Sequence, residues 1–270
     1  MTTPIVILTK NRAAYLNWTL RSLSATDLPD GISVTVYDDA STDADTLNYY
    51  TSAHKVTLQQ PKWPTDDIWY DRGLSLLSSA PVITDSLLHT LRVVRHTKSA
   101  GVVKASCNAL RAEFDKGATG VILLQDDVLF KADWYNRIQQ AVKCSHTFTD
   151  KTVGILAGIK LNTMLAVAQD IPAVASGITA QCIYVSRAVY DSTGFIKNPP
   201  NTRKRFDDLL CRSVIKAGLW GGVIYPFVCQ HIGIKSLVRP WKKWTSRDGA
   251  RVGYHVAPPY AMSTEVKVFK

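Results

Sequence analysis

The chain has 270 residues and a formal net charge of +10, from 32 Lys and Arg against 22 Asp and Glu. Its 46% hydrophobic and 20% charged residues describe a globular protein with a sizeable core, and they exclude intrinsic disorder for most of its length. At roughly 100–200 residues per domain, the length fits one large domain, or one domain with an appendage.

The opening Met1-Thr2-Thr3-Pro4 has no basic segment followed by an apolar one, so no secretory signal is expected. Pro4 to Leu8 is an apolar, β-branched run that predicts a strand ending in Thr9-Lys10-Asn11-Arg12. Leu16, Leu20 and Leu23 recur at helical spacing, with Asn11 or Thr9 as the expected cap. Ile32 to Tyr37 predicts a second strand running into Asp38-Asp39-Ala40-Ser41-Thr42-Asp43, the opening of a βαβ unit. Val56 to Leu58 and Leu91 to Val94 read as short strands. Between them, residues 59–88 carry Pro61, Trp63, Pro64, Trp69 and Tyr70 without a clean period and read as an excursion from the sheet.

Val102 to Phe114 predicts a helix. Val121 to Leu124 is an apolar run bounded by Gly120 and Gln125-Asp126-Asp127, as expected of a strand buried on both faces. A helix over Lys131 to Cys144 follows, then strands at Val153 to Ala157 and Cys182 to Val185. Asp207 to Ala217 reads as a helix stopped by Gly218, and Val223 to Val228 as a last strand. The uncharged run before Ile234 contains Pro226, Gln230 and His231 and reads as turns and strand, not as a membrane span. The expected fold is α/β and Rossmann-like, a mostly parallel sheet with helices on both faces.

Five cysteines without a C-x-x-C pair argue against a disulfide framework or a zinc site, and point to buried free thiols in a reducing cytoplasm. The charge is unevenly placed. Residues 1–194 carry 18 basic and 18 acidic side chains, whereas residues 195–270 carry 14 basic and 4 acidic ones. A basic end serves either as a solvated surface or as a contact for a polyanion.

In open α/β sheets, ligands bind beyond the carboxyl ends of the strands. Two acidic pairs, Asp38-Asp39 and Asp126-Asp127, fall at such ends. A single Asp there more often serves a turn or a helix cap. Two adjacent pairs after buried strands favour a ligand site, because neighbouring carboxylates repel and a hard divalent cation offsets that repulsion.

These segments resemble nucleotide-sugar-dependent glycosyltransferases of the GT-A type, especially the large inverting family-2-like group with bacterial and viral members. Pro4 to Arg12 is similar to that group's first strand and T-x-N-R turn, and Val36 to Asp43 to its V-D-D-x-S-x-D segment. The resemblance implies that Asp38 meets the base, uracil in a UDP-sugar. Gly101 to Asn108 resembles the G-x-x-x-A-x-N stretch beside ribose and diphosphate. Leu124-Gln125-Asp126-Asp127-Val128 resembles the metal-binding D-x-D signature in its L-E-D-D form, with Gln125 departing from the acidic first position. Thr9, Asn11, Arg12, Asp38, Asp39, Gly101, Lys104, Asn108, Gln125 and Asp126 are thereby implied to bind the nucleotide sugar. Asp127 is implied to bind Mn²⁺ or Mg²⁺. Arg205 to Arg212 is similar to the E-D-x-x-L helix start, in which one Asp is the catalytic base, here Asp207 or Asp208. Tyr225 to Gly233 resembles a P-x-x-x-Q-H-x-G motif whose His completes the metal or diphosphate site, here His231.

The resemblance covers residues 4–235 and implies a GT-A domain over 1–235, with a nucleotide-sugar half at 1–130 and an acceptor half at 131–235. A basic extension fills 236–270. Arg203, Lys204 and Arg205, with Trp241, Lys242 and Lys243, are expected to face an anionic acceptor, either hydroxymethylated pyrimidine DNA or an anionic glycan or lipopolysaccharide. No stable membrane insertion is expected. Two other classes stay open: a sugar-phosphate nucleotidyltransferase, which normally carries a Gly-rich loop that Thr9 to Arg12 lacks, and a non-catalytic nucleic-acid or glycan binder on the same scaffold. A Walker loop, a G-x-S-x-G elbow and a G-x-G-x-x-G fingerprint are absent.

Overall fold

Most of the apolar runs become buried strands, whereas the run at Leu91–Arg95 becomes an edge strand that is largely exposed. The computed structural model describes residues 2–51, 91–145, 150–158, 179–202, 204–224 and 228–231. The expected strand at 56–58, the excursion at 59–88 and the basic extension at 236–270 lie outside the described residues. In chain order the elements are β1 (Ile5–Thr9), α1 (Ala13–Ser24), β2 (Val34–Asp38), α2 (Ala44–Thr51), β3 (Leu91–Arg95), α3 (Val102–Asp115), β4 (Gly120–Gln125) and β5 (Val128–Phe130). Then come α4 (Trp134–Cys144), β6 (Val153–Ala157), β7 (Cys182–Ser186), α5 (Arg187–Thr193), α6 (Phe206–Lys216), β8 (Trp220–Val223) and β9 (Cys229–His231).

Seven strands form one sheet in the order β3-β2-β1-β4-β7-β6-β8, and β5 pairs with β9 in a two-stranded one. Within the large sheet β7 runs antiparallel to both β4 and β6, while the other pairings are parallel. The fold is therefore α/β with a mostly parallel sheet, as the sequence predicts.

Side-chain alternation along each strand divides the core in two. Ile5, Ile7, Ile122 and Leu124 face one way, against Leu16, Leu20 and Leu23 of α1 and Trp134 and Ile138 of α4. Val6, Val121 and Leu123 face the other way, against Cys107, Leu110 and Phe114 of α3 and Phe206, Leu210 and Val214 of α6. All the residues just named are buried, and each large aliphatic one contributes about 1.5–3 kcal/mol by leaving water.

Several expectations are corrected. The helix expected from Lys131 starts at Trp134, because Val128–Phe130 is a strand that pairs with Cys229–His231. The single last strand at Val223 to Val228 is instead two strands in different sheets, β8 ending at Val223 and β9 starting at Cys229. Neither Thr9 nor Asn11 caps α1: its N-cap is Arg12, with no side-chain capping bond. The five cysteines are free thiols, four of them buried. Among the described residues, no helix is long and apolar enough to cross a membrane.

Candidate active site

Register brings the functional ends together. Thr9 pairs with Asp38, Asp38 with Arg95, and Leu8 with Gln125, so the ends of β1, β2, β3 and β4 make one rim. β6 runs parallel to β4, since both oppose β7. β8 is parallel to β6, and α6 enters it through the turn in which the Leu219 N–H donates to the Val214 carbonyl. A helix that turns back into a strand runs opposite to it, so the first turn of α6, with Asp207 and Asp208, lies toward the same rim.

The turn after β1 organises both acidic pairs. Asn11 adopts φ +53°, a left-handed conformation that Asn tolerates better than most residues. Its Oδ1 accepts from the backbone N–H of Thr42 (2.7 Å) and Asp43 (3.2 Å), and its own N–H donates to Ser41 Oγ (2.8 Å). Asn11 thus ties the turn after β1 to the turn after β2. Next door, Thr9 Oγ1 donates to Asp126 Oδ2 (2.6 Å). Arg12 bridges the second pair, Nη1 to Asp126 Oδ1 (2.9 Å) and Nη2 to Asp127 Oδ2 (2.6 Å), with its guanidinium 4.3 Å from the centre of the Tyr15 ring.

The first acidic pair is bound internally. Asp38 is fully buried; Oδ1 accepts from the Ser41 N–H (2.9 Å) and hydroxyl (2.5 Å), and Oδ2 from Arg95 Nε (3.1 Å). Asp39 reaches the start of α3. Its oxygens accept from Ser99 Oγ (2.7 Å) and from the N–H groups of Ala100 (2.6 Å) and Gly101 (3.1 Å). A carboxylate there suits the positive end of the helix. Gly101, at φ +77°, has open space where a Cβ would stand.

The second pair is held from both sides. Val128 N–H donates to Thr19 Oγ1 (3.1 Å) and Phe130 N–H to Ser22 Oγ (2.8 Å), so the buried face of α1 fixes the strand that follows Asp127. The pairing of β5 with β9 sets His231 opposite Val128, and His231 Nε2 lies 3.2 Å from Asp127 Oδ2. Burial, with the neighbouring Asp127 charge, lifts the Asp126 carboxyl to about 7 against the opposing pull of Arg12. Burial also opposes ionisation of Asp127, but His231 and Arg12 together outweigh it and hold that carboxyl below its usual range.

The residues present fit a divalent metal. Asp127 Oδ1 is buried and makes no hydrogen bond, an orphaned acceptor of the hard kind that Mg²⁺ and Mn²⁺ prefer. Two donors about 2.1 Å from one ion in adjacent octahedral positions lie about 3.0 Å apart, close to the 3.2 Å between Asp127 Oδ2 and His231 Nε2. No group of three His, Cys, Asp or Glu side chains gathers for a metal among the described residues. An ion here would draw its other ligands from substrate and water.

The carboxylates that open α6 differ. Asp207 is nearly buried and takes two bonds from Arg205, Nε at 3.1 Å and Nη2. The side chain of Asp208 is 50% exposed, with Arg205 Nε 3.8 Å away. Arg205, expected on the acceptor side, is thus engaged with the acidic pair. Lys204 is exposed, with its N–H on Thr202 Oγ1. Lys104 lies in the first turn of α3, and Asn108 lies a turn further along, where it accepts from Arg111. Gln125 ends β4 and is half-buried. Arg203, Trp241, Lys242 and Lys243 lie outside the described residues.

Sequence reasoning missed Thr19, Ser22, Tyr15, Ser41, Ser99 and Arg95. Thr19 and Ser22 carried a signal, since they are polar residues on the Leu16-Leu20-Leu23 face of a helix. Arg95 carried a weaker one, a cation ending a strand at the rim.

Comparison with protein-family models finds no match, and no curated protein matches the chain. Among solved structures, the chain is similar to the mannosyltransferase PcManGT from Pyrobaculum calidifontis in complex with GDP-Man and Mn²⁺. That likeness has a TM-score of 0.53 and 18% identity, over 84% of this chain and 55% of that one. TarS of S. aureus gives a TM-score of 0.53 at 16% identity, over 85% of this chain and 36% of that one. TarS 1–349 in complex with UDP-GlcNAc gives 0.51 at 16%, over 85% and 57%. The chain therefore has the GT-A-type fold of these nucleotide-sugar glycosyltransferases, and spans about half or less of their length.

Proposed function

We propose that the protein is a metal-dependent inverting glycosyltransferase that moves a sugar from a nucleotide sugar, a UDP-sugar in the first instance, to an acceptor hydroxyl. The observation that carries this reading is the buried Asp127 with an orphaned oxygen, His231 beside it, at the same sheet rim as Asp38. The complexes of the structural neighbours with GDP-Man and Mn²⁺ and with UDP-GlcNAc support the substrate class.

In this reading Asp127 and His231 hold the divalent ion, which as a Lewis acid would neutralise the charge leaving on the diphosphate. Asp38 borders the base, with Arg95 Nε on its Oδ2. Lys104 and the Gly101 turn border the ribose and diphosphate. Asp208 is the base that takes the proton of the acceptor hydroxyl as its oxygen attacks the anomeric carbon. Its exposed carboxylate, in the first turn of α6, is accessible to an acceptor hydroxyl. Asp207 and Arg205 form the support beneath it.

The domain division at 1–235 and 236–270 belongs to the same proposal, as does an anionic acceptor met by Lys204 and the basic residues of 195–270. Hydroxymethylated pyrimidine DNA is the first acceptor to test and an anionic glycan the second. The test is a screen of UDP-, GDP- and CDP-sugars with Mn²⁺, with each acceptor and without one, read as nucleoside diphosphate released. Acceptor-stimulated release from one donor supports the proposal. Binding of DNA or glycan with no release from any donor would support a non-catalytic binder instead.

A further inference from the structure

The position that a divalent ion would share with Asp127 already has a cation beside it. Arg12 Nη2 lies 2.6 Å from Asp127 Oδ2, the same oxygen that faces His231 Nε2, and Nη1 lies 2.9 Å from Asp126 Oδ1. The bridge is built in. Arg12 is the N-cap of α1, it follows the left-handed Asn11, and its guanidinium rests against Tyr15. With Arg12 in place, two buried carboxylates have one fixed counter-charge, and an ion on Asp127 Oδ2 would meet a guanidinium at close range. Like charges that close, away from bulk water, repel strongly.

Arg12 is also poorly retained by anything other than the carboxylates. Its Nε is buried and makes no hydrogen bond, so the head is held by two ion pairs and one ring face. A diphosphate offers a guanidinium the same bidentate geometry as a carboxylate. Asp126 keeps its bond from Thr9 if Arg12 leaves, whereas Asp127 would then have an oxygen, beside His231, open to a metal.

We infer that Arg12 is an internal counter-cation that closes the acidic pair to free divalent metal, and that it moves onto the diphosphate when donor and metal enter together. This rests on the reading of Asp127 and His231 as metal ligands. It adds that the free protein discriminates against metal alone, and that the T-x-N-R turn couples metal affinity to nucleotide. Arg12 is here a positioning residue whose effect is on binding.

The test is Mn²⁺ titration followed by electron paramagnetic resonance, without nucleotide and with saturating UDP or GDP, on wild type, Arg12→Gln, Arg12→Lys and Asp127→Asn. Wild type alone should bind Mn²⁺ weakly, and one of the nucleotides should tighten binding by at least about tenfold. Arg12→Gln should bind Mn²⁺ alone at least about tenfold more tightly than wild type, while Arg12→Lys, which keeps the charge, should stay near wild type. The nucleotide effect should vanish in Asp127→Asn. If Arg12→Gln does not fold, Arg12→Ala takes its place with the same expected gain in affinity for Mn²⁺ alone. Arg12→Gln binding Mn²⁺ alone no more tightly than wild type, or equal wild-type affinity with and without nucleotide, overturns the role of Arg12 and leaves the metal site standing, whereas tightening that persists in Asp127→Asn overturns Asp127 as the ligand. No Mn²⁺ bound by any variant with either nucleotide overturns the metal site itself.

Discussion

Replacing the two carboxylates at the start of α6 separately should divide chemistry from support. Asp208 has a half-exposed side chain and a 3.8 Å approach from Arg205. Losing such an exposed pair costs about 0–1 kcal/mol, and losing a negative charge at a helix N-terminus costs about 0.3–1 kcal/mol. Asp208→Asn should therefore lower stability by no more than about 2 kcal/mol. If Asp208 takes the acceptor proton, the same change should lower kcat by roughly 10²–10⁴-fold, which is about 3–5 kcal/mol of barrier. Asp207 is 10% exposed at its side chain and bonded twice by Arg205, and it accepts from the Asp208 N–H. An asparagine keeps an acceptor oxygen there, so Asp207→Asn should cost about 1 kcal/mol after solvent screening of the half-exposed Arg205. Its effect on kcat should be less than about tenfold. The assay is kcat from nucleoside diphosphate release, paired with urea unfolding of each variant. A large loss of kcat in Asp207→Asn with Asp208→Asn near wild type would refute the assignment.

Three further outcomes follow from the same geometry. Thr19→Val leaves the buried Val128 N–H without its partner and should cost about 1–3 kcal/mol, with Thr19→Ser near neutral; equal urea midpoints for the two variants would contradict this role. Burial pushes the Cys107 and Cys211 thiols up to about 12, from an ordinary value of 9.0. Over that window the unfolded chain releases thiol protons that the native chain retains, so stability should fall as pH rises from 9 to 12. A urea midpoint at pH 10.5 equal to that at pH 8 would count against it. Asn11→Ala removes the acceptor for two backbone N–H groups and keeps the left-handed φ, whereas Asn11→Gly removes only the acceptor. The alanine variant should be less stable than the glycine one by about 1 kcal/mol.

Strands β1, β2 and β4 were legible because each is apolar along most of its length and ends in polar residues, the pattern of a strand covered on both faces. Helices α1 and α3 were legible from apolar spacing. The direction of β7 leaves no mark on residue periodicity, so its antiparallel run was not readable. β5 and β9 have three residues each, too few to show a period, and they pair across about a hundred residues of chain. The contact of His231 with Asp127 depends on that pairing, so spacing along the chain did not reveal it.

Within the site, the sequence located the acidic pairs but not their partners. Asp38 and Asp39 look alike in the sequence, yet one is held by Ser41 and Arg95 and the other by the turn into α3. Asn11 stands where a cap is expected, but its left-handed backbone aims its side chain at Thr42 and Asp43 instead. Those choices follow from backbone conformation and register, which residue types alone do not specify.

The proposed function depends most directly on Asp127 as the ligand of a catalytic metal. The decisive measurement is nucleoside diphosphate release from the preferred donor by wild type and Asp127→Asn, with Mn²⁺, and again after chelation. Wild type should release nucleoside diphosphate in a way that chelation abolishes and Mn²⁺ restores, and Asp127→Asn should lose at least about a hundredfold. Release that survives both chelation and the Asp127→Asn substitution would contradict the proposed function.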